Sequence, residues 1–278
     1  MILKSFFISL FASFNNTGTM DCEFVMTKES MKKLCRELKL YSNCPELNDV
    51  IHLHQKGIRK IQALEEYIGL RTIYFECNAI SKLEGLAPLI NLQCLYLNQN
   101  CISQIEGLET LQQLEILDLA DNQIKKVTGL SCLPCLRQLN LSGNFICHES
   151  DVIHLLDCKS LKSLDVSNNR IDNEKALEAL RSIPLNLLRL MSNKILSITC
   201  NYRKMTVATM STLVYLDESP IFENERRLAM AWMVGGIDAE RNMRLTIANE
   251  EAATRDHHRK EFEDIKIKAK RELAEKYL

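Results

Sequence analysis

The chain has no surplus of positive charge: 35 lysines and arginines stand against 36 aspartates and glutamates, a formal net charge of −1. A nucleic-acid binder shows a basic stripe, and none is visible here, so that class is not expected. Past residue 19 no stretch approaches the ~20 apolar residues that span a bilayer, and no membrane role is expected. There is no glycine loop to cradle phosphate, no nucleophile elbow and no paired-carboxylate arrangement. No catalytic residue and no cofactor can therefore be assigned. The 11 cysteines are odd in number and scattered, with no cluster bracketing any segment, which points to a reducing, intracellular compartment. Cys132-Leu-Pro-Cys135 has redox or zinc spacing but no second pair, and Leu133 and Leu136 hold core positions around it, so a loop-and-core role is expected.

What the chain does have is a period. Residues 92–113 read LQCLYLNQNCISQIEGLETLQQ, with Leu92, Leu95, Leu97, Ile102, Ile105, Leu108 and Leu111 at the apolar positions and Asn100 among them. This is one leucine-rich repeat: a short strand pointing Leu95 and Leu97 inward at period 2, a bend at the asparagine, and an apolar return along the convex side. A bend leaves backbone groups without ladder partners, and an amide side chain can both donate to and accept from them. The asparagine recurs as Asn78, Asn100, Asn122, Asn144, Asn169 and Asn193, with Lys56 in the slot of a degenerate first repeat. The spacings from Lys56 are 22, 22, 22, 22, 25 and 24. Phe75, Leu97, Leu119, Leu141, Val166 and Leu190 precede the asparagines by three. One repeat cannot bury its own edge; about seven in register predict an α/β solenoid with a structural asparagine ladder.

Five segments follow: a leader (1–21), an N-terminal helical cap (22–46), the repeats (47–200), a C-terminal repeat cap (201–221) and a charged helical extension (222–278). The leader, with Lys4 before the apolar run Phe6–Phe14 and a sequon at Asn15, has the features of a signal peptide. The cysteine pattern favours reading it as a non-native leader, with Met20 or Met26 as the start. Thr27 should cap a helix over 28–40 whose stripe is Met31, Leu34, Cys35 and Leu38. The 22-residue repeats are too short for a convex helix and should carry 3₁₀ turns, whereas the longer ones can hold helices near 151–157 and 174–182, the latter capped by Asn173. A further helix over 223–234 should break at Gly235-Gly236. Residues 237–278 hold ten acidic and ten basic residues, among them Glu240/Arg244, Asp256/Lys260, Asp264/Lys268 and Glu272/Lys276 at i, i+4. With a thin seam of Ile265, Ala269 and Leu273, they predict a long solvated helix projecting from the solenoid; a coiled-coil partner is the lesser option.

Solenoids bind on the concave face. Its central ladder, between the two inward residues of each strand, reads His52, Tyr74, Tyr96, Asp118, Asn140, Asp165 and Arg189, and Glu76 and Asn98 stand beside it. Tyrosines on a rigid sheet lose little side-chain entropy on binding and serve as interface anchors, so a protein-binding face is expected, aromatic in its first half and polar in its second. His52, His54 and Glu76 could in principle hold a metal, but an exposed histidine pair is ordinarily solvent-facing, and no metal is expected. Asn140-Leu-Ser142 matches a sequon but lies inside an expected strand.

The 22-residue repeat with its I-x-x-I-x-x-L-x-x-L return resembles the subclass typified by the protein phosphatase 1 regulatory subunit. Stretches outside the generic repeat narrow this. They include Met26-Thr-Lys-Glu29, Leu47-Asn-Asp49, Leu64-Glu-Glu-Tyr67, Leu130-Ser-Cys-Leu-Pro134, Asn201-Tyr-Arg203, Tyr215-Leu-Asp217, Ala231-Trp232 and Gly235-Gly236. From about Met26 through the first terminal helix the chain resembles the leucine-rich-repeat dynein axonemal assembly factors. It departs from them at Glu84-Gly85 and Glu106-Gly107, where Glu-Asn is usual, and lacks their long C-terminal region, as a divergent member, an isoform or a fragment would. The resemblance implies a non-enzymatic scaffold for preassembly of axonemal dynein arms. Its partners would be dynein chains and assembly factors or chaperones, and its place the cytoplasm, with the cilium or flagellum second. A phosphatase regulatory subunit is the alternative. The sequence does not specify an oligomeric state.

Overall fold

The structure, a computed structural model, describes residues 24–276, with side chains as far as residue 272. The expected leader, 1–21 with Phe6–Phe14 and Asn15, lies outside the described residues, as do the side chains of Leu273 and Lys276. Nine short strands form one sheet in chain order: β1 (Val50–His52), β2 (Thr72–Tyr74), β3 (Cys94–Tyr96), β4 (Ile116–Asp118), β5 (Gln138–Asn140), β6 (Ser163–Asp165), β7 (Leu187–Arg189), β8 (Tyr215–Leu216) and β9 (Ser219–Pro220). The first eight pair in parallel and β9 turns back antiparallel. Repetition at a fixed period sets the register, so Ile73 stands opposite Leu95 and Leu95 opposite Leu117. The middle residues Ile51, Ile73, Leu95, Leu117, Leu139, Leu164 and Leu188 are all buried.

Each return rises through apolar residues three apart: Ile80, Leu83, Leu86 and Leu89, then Ile102, Ile105, Leu108 and Leu111, all buried. The convex backbone there is a chain of i→i−3 turns, such as Leu89 N to Leu86 O and Leu92 N to Leu89 O, each at 3.0 Å. A turn of three residues presents every third side chain to the same side, which is the observed spacing. The longer repeats carry helices in this place. These are α2 (Glu149–Val152), running on as a 3₁₀ helix over Ile153–Asp157, and α3 (Glu174–Arg181), whose Asn173 Oδ1 accepts from Lys175 N at 2.8 Å.

Within the 22-residue coils the turn needs left-handed backbone twice. The residue before each ladder asparagine is one such place, with Cys77, Gln99 and Asp121 at φ of 53–59°. The other falls at Gly85, Gly107 and Gly129, at φ of 70–72°. A Cβ on Gly107 would sit 2.3 Å from the Leu83 carbonyl oxygen. Gly85 and Gly107 thus meet the positive φ of this slot without strain, a conformation that asparagine, the residue the family resemblance leads one to expect there, also tolerates.

The ends are closed by different means. At the N-terminus α1 (Lys28–Glu37) buries Met31, Leu34 and Cys35 over the first coil. Thr27 and Ser30 exchange capping bonds, Ser30 N to Thr27 Oγ1 at 3.1 Å and Thr27 N to Ser30 Oγ at 2.8 Å. The helix stops three residues short of the expected end at residue 40, and Leu38, expected in the stripe, is its exposed C-cap. At the C-terminus, α4 (Ile195–Ile198) and α5 (Tyr202–Thr209) lead into β8. The N-Y-R opening meets the L-D closing element. Tyr202 Oη donates to Asp217 at 3.3 Å, Asp217 Oδ1 accepts from Leu190 N at 2.8 Å, and Arg203 reaches the carbonyls of Leu216 and Pro220. Arg203 also pairs with Glu225 at 2.5 and 3.0 Å, tying the cap to the following helix.

That helical segment, α6 (Glu223–Lys276), is interrupted at Gly235 and Gly236, whose dihedrals are non-helical. Here the expectation of a projecting helix is corrected in its first part. Past the glycines the chain doubles back on 223–234: Arg227 makes a two-pronged pair with Glu250 at 2.7 and 2.8 Å, and Asn224 donates to Glu251 at 3.1 Å. Glu240, 8% exposed, receives both Lys204 at 2.7 Å and Arg244 at 3.0 Å, and Ile247 is 7% exposed. Only beyond residue 247 is every described side chain exposed, including Ile265 of the expected seam. Of the i, i+4 pairs, Glu240/Arg244 forms, while Asp256 pairs instead with Arg259 at 3.1 Å.

Candidate functional site

Parallel pairing with a constant period aligns the central ladder across the sheet, His52 opposite Tyr74, Tyr74 opposite Tyr96, Tyr96 opposite Asp118. The three rings stack nearly parallel: His52 on Tyr74 at 4.6 Å and 7°, Tyr74 on Tyr96 at 4.8 Å and 3°. This interval is the strand spacing itself, so the sheet enforces the stack. His54 meets His52 edge-on at 5.8 Å. Burial raises the Tyr96 hydroxyl above the ordinary tyrosine range, with smaller contributions from nearby Cys94, Tyr74, Asp118 and Glu76. Glu76 and Asp118 therefore lie close enough to act on the end of the stack.

The ladder then changes character. Asp118 accepts from Ala120 N at 2.9 Å and from Asn140 Nδ2 at 3.1 Å. Burial holds its carboxyl above the usual range; the charges of Asp165 and Asp121 push the same way, and its two hydrogen bonds oppose them. Asn140 Oδ1 accepts from Ser142 N, and Asp165 accepts from Ser167 N and Oγ and pairs with Arg189 at 3.4 Å. The residues named from the sequence fall into two groups: an aromatic stack with Glu76 beside it, and a polar chain Asp118–Asn140 followed by Asp165–Arg189. Asn98 lies on the same face, half-buried, beyond β3.

Beneath this face the asparagines stitch adjacent coils. Asn122 Nδ2 donates to Leu97 O at 2.9 Å in the coil before and to Leu119 O at 3.1 Å in its own, while its Oδ1 accepts from Ile102 N at 3.0 Å. Asn78, Asn100, Asn144 and Asn169 repeat the set, and Asn193 does so at the last coil with Val166 O, Leu190 O and Ile171 N. Asn48, which lies outside the asparagine ladder, closes the first coil by bonds to Tyr41 and Pro45.

Among the described residues one set offers three metal-ligand atoms within 4.8 Å of one another: Cys147, His148 and Asp172. The sequence reading did not group them, since Asp172 lies one repeat away. Burial and the neighbouring Asp172 and Asp151 carboxylates raise the Cys147 thiol, and Lys194 approaches Asp172 at 3.8 Å. Cys132 donates to Gly129 O within its own loop. Among the described residues no helix is long and apolar enough to cross a membrane.

An open parallel sheet of three-residue strands, a buried asparagine in every coil and a return of turns define a leucine-rich-repeat solenoid. The leucine-rich repeat family model matches residues 104–244, and the chain belongs to that family. It is 50% identical over 227 residues to the leucine-rich repeat-containing protein ODA7 of Chlamydomonas reinhardtii, covering 81% of this chain and 52% of that protein. It is 57% identical over 220 residues to dynein axonemal assembly factor 1 of Homo sapiens, covering 79% of this chain and 30% of that protein. The chain thus spans about half the length of these relatives, or less. An internalin of Listeria monocytogenes, 24% identical with a TM-score of 0.53 over 72% of this chain and 52% of its own, shares the fold.

Proposed function

We propose that the chain is a non-enzymatic protein-binding scaffold acting in the preassembly of axonemal dynein arms, in the cytoplasm of cells that build motile cilia or flagella. The observation that carries this is the 56–57% identity to proteins named dynein axonemal assembly factor 1, extending over 79% of the chain. The concave face supplies the means. Its rings are held in place by the sheet before any partner arrives, so little conformational freedom remains to be lost on binding. Dynein chains, or assembly factors and chaperones that carry them, are the clients.

The test is affinity purification of tagged protein from cells assembling motile cilia, with mass spectrometry of what is retained. Dynein chains and chaperones should be enriched. Tyr74→Ala with Tyr96→Ala should remove that enrichment while the circular dichroism spectrum stays unchanged, because both residues stand on the open side of the sheet. Unchanged capture by the double variant would remove the concave face from the reading. Recovery of a phosphatase catalytic subunit without dynein would replace the reading with that of a phosphatase regulatory subunit.

A further inference from the structure

We propose that the concave face seats an arginine side chain, borne by an extended basic segment of the client, in the step between the Tyr96 ring and the Asp118 carboxylate. The inference rests on the protein-binding reading above and names the chemistry of the partner.

The step is a consequence of register. Tyr96 and Asp118 are direct partners on β3 and β4, so a tall ring gives way to a short acid in one strand spacing. Tyr74 covers one face of the Tyr96 ring; the opposite face is turned to β4, where the ladder continues with Asp118 and Asn140 and no ring. Because rings repeat here every 4.6–4.8 Å, a planar group lying over Asp118 would extend the stack at its own interval. A guanidinium is planar, stacks on tyrosine and pairs with a carboxylate by two prongs, whereas an ammonium does only the last and as a point charge.

The electrostatics point the same way. Asp118 is half-buried, and its hydrogen bonds come from neutral groups, Ala120 N and Asn140 Nδ2. Among the described residues no cation pairs with it, whereas Asp165, two strands along, has Arg189. A carboxylate partly removed from water gains most from an added cation, because its solvation has already been given up. Glu76 on one side and Asp165 on the other extend the negative potential along the face, which suits a basic segment rather than an isolated arginine.

The test uses the full chain and N-acetyl-arginine amide as probe, followed by NMR shifts of the Ala120 amide and the Asn140 side-chain amide. The citrulline and lysine amides serve as comparators. The arginine probe should move both signals, with the citrulline and lysine probes at least about tenfold weaker. Asp118→Asn should weaken the arginine probe by at least about tenfold, and Tyr96→Leu should weaken it as well.

Asp118→Asn should also remove the part of the fall in thermal midpoint with rising pH that comes from ionising this carboxyl. A folded-state carboxyl raised above its unfolded value contributes stability at low pH that is lost as pH rises through the raised value, so the ionised group is a liability at neutrality. Equal titration by arginine and citrulline, or undiminished arginine binding to Asp118→Asn, would overturn the proposal. If that happens while Tyr74→Ala with Tyr96→Ala still loses dynein, the scaffold reading stands alone. If the arginine site behaves as described but no client is captured, the scaffold reading falls and the site remains.

Discussion

Asn122 shows how much one side chain can do in a fold of this kind. Its amide bonds three carbonyls and one backbone N–H drawn from two coils, all buried. Replacing it by alanine leaves the buried Ile102 N–H without a partner, at about 1–3 kcal/mol, and takes one of two donors from each of Leu97 O, Leu119 O and Ala120 O. Asn122→Ala should therefore lower stability by about 2–4 kcal/mol, near the upper end for a single substitution. Chemical denaturation monitored by circular dichroism would show it as a lower midpoint at unchanged slope; a loss below ~0.5 kcal/mol would mean that water or a local shift replaces the amide. Repetition makes this residue legible from sequence alone, since the slot recurs every 22–25 residues. The role of Asn48 is not, since it stands where the following repeats carry a leucine and so breaks the pattern that makes the others readable.

The C-terminal helical segment turns on two glycines. Gly236 has φ of 66° and ψ of −152°, a region essentially reserved for glycine, and a Cβ placed there would meet nothing within 4 Å. Gly236→Ala should thus act through backbone strain alone, of about 1–3 kcal/mol, and favour continuing the helix straight through residues 235–236. Small-angle scattering should report a longer particle, and the Arg227–Glu250 pair should be lost. An unchanged scattering curve would show that the packing of Glu240 and Ile247 dictates the reversal without help from the glycine. A break at Gly235-Gly236 was readable in the sequence, but its direction was not. A glycine pair stops a helix; only Lys204 and Arg227, meeting Glu240 and Glu250, decide where the next one lies.

Among the described residues the core is one continuous apolar column closed at both ends. It runs from Met31 and Leu34 of α1 through the coils to Val207, Leu213 and Leu216, with Arg226 donating to the carbonyls of Val207 and Met210 at 3.0 and 2.9 Å and to that of Leu213. Every coil depends on its neighbours, so the solenoid should unfold as a unit. The exposed far half of α6 contributes nothing to that column. Limited trypsin digestion should therefore cut first among Arg255, Arg259 and Lys260, leaving a core with the thermal midpoint of the intact chain. A core that melts lower would show that this half of the helix is packed in solution.

The sequence by itself determined the solenoid, its coil count and the identity of the ladder residues, because period and apolar spacing are local properties that repetition amplifies. It also determined that Tyr74, Tyr96 and Asp118 would share a face. Tertiary structure alone decided that the rings stack at the strand interval, that among the described residues Asp118 has no cation while Asp165 finds Arg189, and that Cys147, His148 and Asp172 converge. It decided as well that the terminal helix returns to the cap. Each of these depends on distances between groups far apart in the chain. Such distances are set when the coils pack, and no pattern of residue types records them.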